Sequence, residues 1–139
     1  MPKRGEEVVA RARSLIGVRY RPQGRSEETG LDCIGVVILS LGISAASVRR
    51  DYRLRGTGLP AIEAELTRRG LVCCPALDPR PGDLGLFEPG PAQVHFAIFT
   101  GTGLVHADAA SRRVVERPLP APWPALACWR PGPTQSGDR

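Results

Sequence analysis

Apolar residues repeat with one spacing in the first half of this chain and with another in the second. From residue 82 onward the segments GDLGLFE (82–88), VHFAIFTG (94–101), GLVHADA (103–109), RRVVERPL (112–119) and ALACWRP (125–131) alternate, and Gly/Pro turns separate them. That pattern predicts five short strands joined tightly enough to be antiparallel. Before residue 82 the period is helical. Val8, Val9, Ala12, Leu15 and Ile16 share one face over residues 4–17, Glu6, Glu7, Arg11 and Arg13 lie largely opposite, and Gly17 ends the run. PAIEAELTRR (60–69) repeats the pattern, with Pro60 in the first turn and Gly70 just beyond the end. Between them, CIGVVILSLG (33–42) is apolar nearly all round, which suits a buried helix ending at Gly42. The β-branched Val36, Val37 and Ile38 are compatible with a strand; the length of the run and its entry from Asp32 favour the helix. Helices first and an antiparallel sheet second make an α+β layout. Sixteen glycines and fourteen prolines agree with many turns and short elements.

With 139 residues, 42% of them hydrophobic, the chain can bury one core without metal or disulfide support. Residues 1–131 are expected to form one domain and 132–139 a disordered tail. The net charge of +5 comes mostly from scattered arginines, with no block of like charge and no interleaved aromatics, so no nucleic-acid partner is expected. A mildly basic surface does favour approach to an anionic polymer. The N-terminus has no apolar h-region, and no stretch reaches the roughly 20 apolar residues of a membrane span. Synthesis in the cytoplasm without a secretory signal is expected, with delivery elsewhere depending on another carrier. Cys33, Cys73, Cys74 and Cys128 have no CxxC spacing, and the adjacent pair is badly placed to bond to itself. Free thiols, no zinc site and no cofactor are expected.

Three residues stand out chemically. Cys33 follows Asp32 at a helix start, where free N–H groups and the helix dipole favour a thiolate. It is also the kind of residue that simply fills core space. The two histidines, His95 and His106, fall in neighbouring predicted strands joined by a turn containing Gly101 and Gly103, an arrangement that can set both imidazoles on one face. Together these residues supply a nucleophile, a base and a group to orient the base, with the Cys33 backbone N–H as an oxyanion donor.

RARSLIGVRYRPQG, LDCIGVV, PRPGDLGLFE and VHFAIFTGTGLVHA, in that order, resemble the blocks of the NlpC/P60 cysteine peptidases, papain-like enzymes that cut peptidoglycan stem peptides. The resemblance runs from about Ala10 to Ala107. It implies a papain-like fold with N-terminal helices packed on a central antiparallel sheet of about five strands. It also implies Cys33 as nucleophile, His95 as general base and His106 as the residue orienting the base. Tyr20 matches a tyrosine whose hydroxyl faces the cysteine and helps hold the oxyanion; packing of a loop residue is the equal alternative. Asp32 either caps the helix or helps bind the substrate amine. Serine commonly follows the nucleophile, where it serves substrate recognition, and Ile34 replaces it here. The short length, the D-C-I-G motif and the C-terminal block VVERPLPAPWPALACWRP are similar to the phage-type peptidases of tail modules and gene transfer agents. The implied reaction is hydrolysis of the γ-D-glutamyl–diamino acid amide in a stem peptide, after delivery by a phage-like tail to the periplasm or wall. The alternatives are a papain-like amidase or acyltransferase on another acyl donor, and a non-catalytic tail or wall-binding component. Trp123 and Trp129 are expected to be packing residues, Cys73, Cys74 and Cys128 small buried apolar groups, and Asp83 the organiser of a turn.

Overall fold

The computed structural model describes residues 4–44, 48, 58–75 and 78–132. The expected tail, from residue 133 on, lies outside the described residues. Helix α1 spans Arg4–Ser14 and is followed by a two-stranded ribbon, β1 (Arg25–Ser26) and β2 (Gly30–Leu31). Helices α2 (Cys33–Leu41) and α3 (Leu59–Arg68) come next. The remaining strands are β3 (Val72–Cys74), β4 (Leu84–Phe87), β5 (His95–Phe99), β6 (Gly103–Asp108), β7 (Arg113–Pro118) and β8 (Ala125–Arg130). They form one antiparallel sheet in the order β3-β8-β4-β5-β6-β7.

All five expected strands form within their expected bounds, and the α+β, papain-like architecture is the one observed. A sixth strand, β3, joins at the edge beside β8. At three residues it is too short to show a period. The apolar run after Asp32 is helix rather than strand, and Gly42 ends it at φ 74°, in the left-handed region that glycine enters without steric cost. Helix α1 stops three residues short of Gly17, and Ile16, expected on the apolar face, is 45% exposed because the chain has already turned out of the helix.

The sheet is covered on both faces. Leu84, Leu86, Phe96, Ile98, Val105 and Trp129 pack into one apolar cluster with Val8 and Ala12 of α1, with Val36 and Ile38 of α2, and with Ile62 of α3. Phe87, Ala97, Phe99, Leu104 and Cys128 form a second cluster, closed by Cys74, Ala121 and Trp123. With a cluster on each face, all four residues of β4 are buried. Behind α1, the chain is laid along β7: Gly17 N–H donates to Val114 O at 2.8 Å and Tyr20 N–H to Arg112 O at 2.9 Å. These bonds hold Tyr20 at the end of the sheet, beside the start of α2.

Candidate active site

Asp32 caps α2. Its backbone is extended (φ −102°, ψ −171°), and its Oδ1 accepts the Gly35 N–H at 2.8 Å. The same carboxylate accepts Arg25 Nη1 at 2.7 Å and the Gln23 N–H at 3.0 Å, so it ties the preceding loop to the helix start. Gly35 lies against that loop so closely that a Cβ there would collide with the Gly24 carbonyl oxygen. Cys33, the first residue of α2, is thereby held in place; it is 8% exposed.

On the sheet side, His95 opens β5 and His106 lies in β6. His95 Nε2 and His106 Nδ1 are 2.9 Å apart, and the two rings meet edge-on at 89°. This contact leaves His95 Nδ1 free for another partner. Trp123 stands 5.0 Å from each imidazole, at 72° to His95 and 80° to His106. The Arg117 guanidinium lies over the indole, 5.7 Å from its centre. The pair is thus dry on the tryptophan side.

Tyr20, Asp32, Cys33, Ile34, His95 and His106 all line one cleft of about 630 Å³, together with Trp123. The six candidate site residues named from the sequence are therefore in the same place. Burial pushes the Cys33 thiol up to about 12, and the Asp32 charge adds to it; the Phe96 and Cys33 backbone N–H groups and Arg25 oppose the rise. Burial also lowers His95 to about 4, with His106 adding to the effect and Asp108 opposing it. His106 is lowered too, chiefly by burial. The Tyr20 hydroxyl is raised by burial, then by Cys33 and Asp32, the two acidic neighbours it faces. The ground state is a neutral thiol beside neutral imidazoles, because desolvation outweighs the helix-start advantage read from the sequence. Among the described residues no hydrogen bond joins Cys33 to either histidine, whereas the Phe96 N–H reaches the sulfur from the residue next to His95.

Two further hollows adjoin the cleft. Ile34 also lines an apolar one of about 300 Å³ with Val37, Ile62, Leu66 and Phe96. Tyr20 and Ala109 lead into one of about 750 Å³ lined by Arg19, Arg112 and Arg113. Two contributors were not read as site residues in the sequence, where Trp123 is expected only to pack. Trp123 sits in a proline-rich connection with no period to mark its direction, and Arg25 is one arginine among many, distinguished only by its buried pairing with Asp32.

No protein-family model and no curated protein matches the chain. Solved structures do. NlpC1 from Trichomonas vaginalis superposes with a TM-score of 0.70 at 19% identity, over 97% of this chain and 46% of that one. The chain has the NlpC/P60 fold. The peptidoglycan hydrolase RipB from Mycobacterium tuberculosis gives 0.62 at 20% identity, over 95% of this chain and 66% of that one. RipD from the same organism, described as a non-catalytic NlpC/p60 domain protein adapted to peptidoglycan binding, gives 0.58 at 16% identity, over 94% and 98%. The chain spans about half the length of NlpC1. Within the NlpC/P60 fold, the cleft lies where the start of α2 meets the ends of β5 and β6.

Proposed function

We propose that this chain is a cysteine endopeptidase that hydrolyses peptidoglycan stem peptides at the γ-D-glutamyl–diamino acid amide. The observation that carries the reading is the shared cleft: a thiol at a capped helix start, opposite an imidazole whose far nitrogen is already engaged by a second imidazole. The kinship of fold with the peptidoglycan hydrolase RipB supports the substrate class. His95 acts as general base through Nδ1 and removes the Cys33 proton as the substrate closes the cleft. The thiolate attacks the amide carbonyl. The Cys33 backbone N–H and the Tyr20 hydroxyl hold the oxyanion, His95 returns the proton to the leaving amine, and water cleaves the thioester. His106 orients the base. Asp32 is a positioning residue, its oxygens occupied by Gly35, Arg25 and Gln23. Ile34, in place of a hydroxyl residue, gives the cleft an apolar wall, so the stem-peptide amine is held by other groups. Delivery by a phage-like tail to the periplasm or wall belongs to the same proposal.

The test is digestion of Gram-negative peptidoglycan with the wild type and with Cys33→Ala. New muropeptides with a cleaved stem peptide are expected from the wild type alone. A second reading, wall binding without cleavage, is favoured by the neutral buried thiol and by RipD, a non-catalytic protein of the same fold. Co-sedimentation with peptidoglycan and no product from either protein would establish it instead.

A further inference from the structure

On the far side of the sheet from the Cys33 helix, Cys74 and Cys128 are direct cross-strand partners on β3 and β8. Their sulfurs are 2.9 Å apart, and both are free thiols. We propose that Cys74 and Cys128 are a disulfide-forming pair, a covalent modification site that clips the edge strand β3 to the sheet.

The geometry is close to that of the bond. Residues directly opposite in an antiparallel pair have Cα atoms about 4.5–5.5 Å apart, inside the window of about 4.4–6.8 Å that disulfides occupy. The sulfurs need to close by roughly 0.9 Å to reach the S–S length of about 2.05 Å. Asp83, which together with the two cysteines makes the one candidate metal-ligand group among the described residues, lies 3.6 Å and 3.8 Å from the two sulfurs. A metal fits the site poorly. Thiolates bound tetrahedrally to zinc at about 2.3 Å stand roughly 3.8 Å apart, further than these do. Asp83 is also occupied: it accepts Arg130 Nε at 3.0 Å, Arg130 Nη2 at 2.8 Å and the Arg80 N–H at 2.8 Å.

The oxidant is a small-molecule disulfide of the glutathione class. Cys74 is only partly buried and Cys128 is 1% exposed, so Cys74 reacts first. Its thiolate attacks one sulfur of the reagent, forming a mixed disulfide and expelling one thiolate. The Cys128 thiolate then attacks the Cys74 sulfur, the Cys74–Cys128 bond forms, and the second thiolate leaves. Two protein thiols lose two electrons and two protons, and the reagent becomes two thiols. Burial raises both protein thiols, Cys128 the more strongly, so the exchange is slow at neutral pH. The loop it closes carries His95, His106 and Trp123, and oxidation therefore ties together the ends of the segment that supplies the base. Cys73 is exposed and registers with Trp129, which keeps it out of the pair.

The test incubates the full chain with oxidised glutathione at pH 8.5 for several hours, unfolds it in urea, blocks the remaining thiols with N-ethylmaleimide, and maps the peptides. The expected result is a 74–128 cross-link, with Cys33 and Cys73 alkylated and a melting temperature roughly 10 °C above that of the reduced protein. Cys73→Ser retains the link and the shift; Cys74→Ser and Cys128→Ser lose both. Alkylation of Cys74 and Cys128 after oxidation, or a link from Cys73 instead, overturns the proposal. So does stoichiometric zinc that protects both thiols and is released by a chelator. None of these readouts requires peptidase activity, so the result stands apart from the outcome of the digestion experiment.

Discussion

Cys33 has two opposing influences on its proton. The helix start offers N–H groups, and burial of the sulfur with Asp32 beside it resists charge; the second prevails and lifts the thiol to about 12. For an acid the raised value means that the neutral form dominates at all ordinary pH. Iodoacetamide should therefore label Cys33 slowly at pH 7, with a rate that climbs about tenfold per pH unit through pH 9 and no plateau near neutrality. A plateau centred below pH 8, followed by intact-mass spectrometry of a variant lacking the other cysteines, would mean a standing thiolate and would sink this picture. Under the proposed function, the Cys33 proton passes to His95 when substrate arrives, with no preformed ion pair. Trp123 contributes by excluding water from the imidazoles it abuts.

The elements were legible in the sequence to different degrees, for identifiable reasons. Five strands announced themselves because alternation and Gly/Pro turns coincide over residues 82–131, and α2 because Asp32 and Gly42 bracket it. Strand β3 and the ribbon of β1 and β2 were silent, being two or three residues long and fixed by their partners rather than by a period. The candidate cleft was legible as residue types, Cys33 with His95 and His106, while the place of Trp123 in it was not, since a loop aromatic gains its direction only from tertiary packing. The joint between α2 and its loop makes a test at this scale. A methyl group on Gly35 would strike the Gly24 carbonyl oxygen and lie 2.9 Å from Leu31 Cδ2. Gly35→Ala should cost about 2 kcal/mol in urea denaturation, despite the helix propensity alanine brings. An unchanged or higher midpoint would show that the loop gives way freely.

For the molecule as a whole, the buried imidazoles make acid a denaturant. His95 falls from its ordinary 6.5 to about 4 on folding, mainly through burial. A base with a lowered value favours the folded state when it is uncharged. Its contribution is complete above about pH 6.5 and drains away as pH falls toward 4. At most about 3 kcal/mol is involved, less for whatever solvent reaches the ring. Urea midpoints should drop between pH 6.5 and pH 4.5, and His95→Gln should flatten that part of the curve. An equal slope in the variant would assign the loss to carboxylates such as Asp108 and Glu116, which ion pairs and hydrogen bonds hold below their usual range.

The imidazole contact between β5 and β6 has one more consequence. Each strand contributes one ring, and strand side chains alternate between faces. A slip of a single residue between these two strands would turn one ring to the opposite side and part them completely. Under the proposed function, turnover doubles as a gauge of strand alignment: a misaligned population keeps its helices and much of its sheet, and falls silent in the assay.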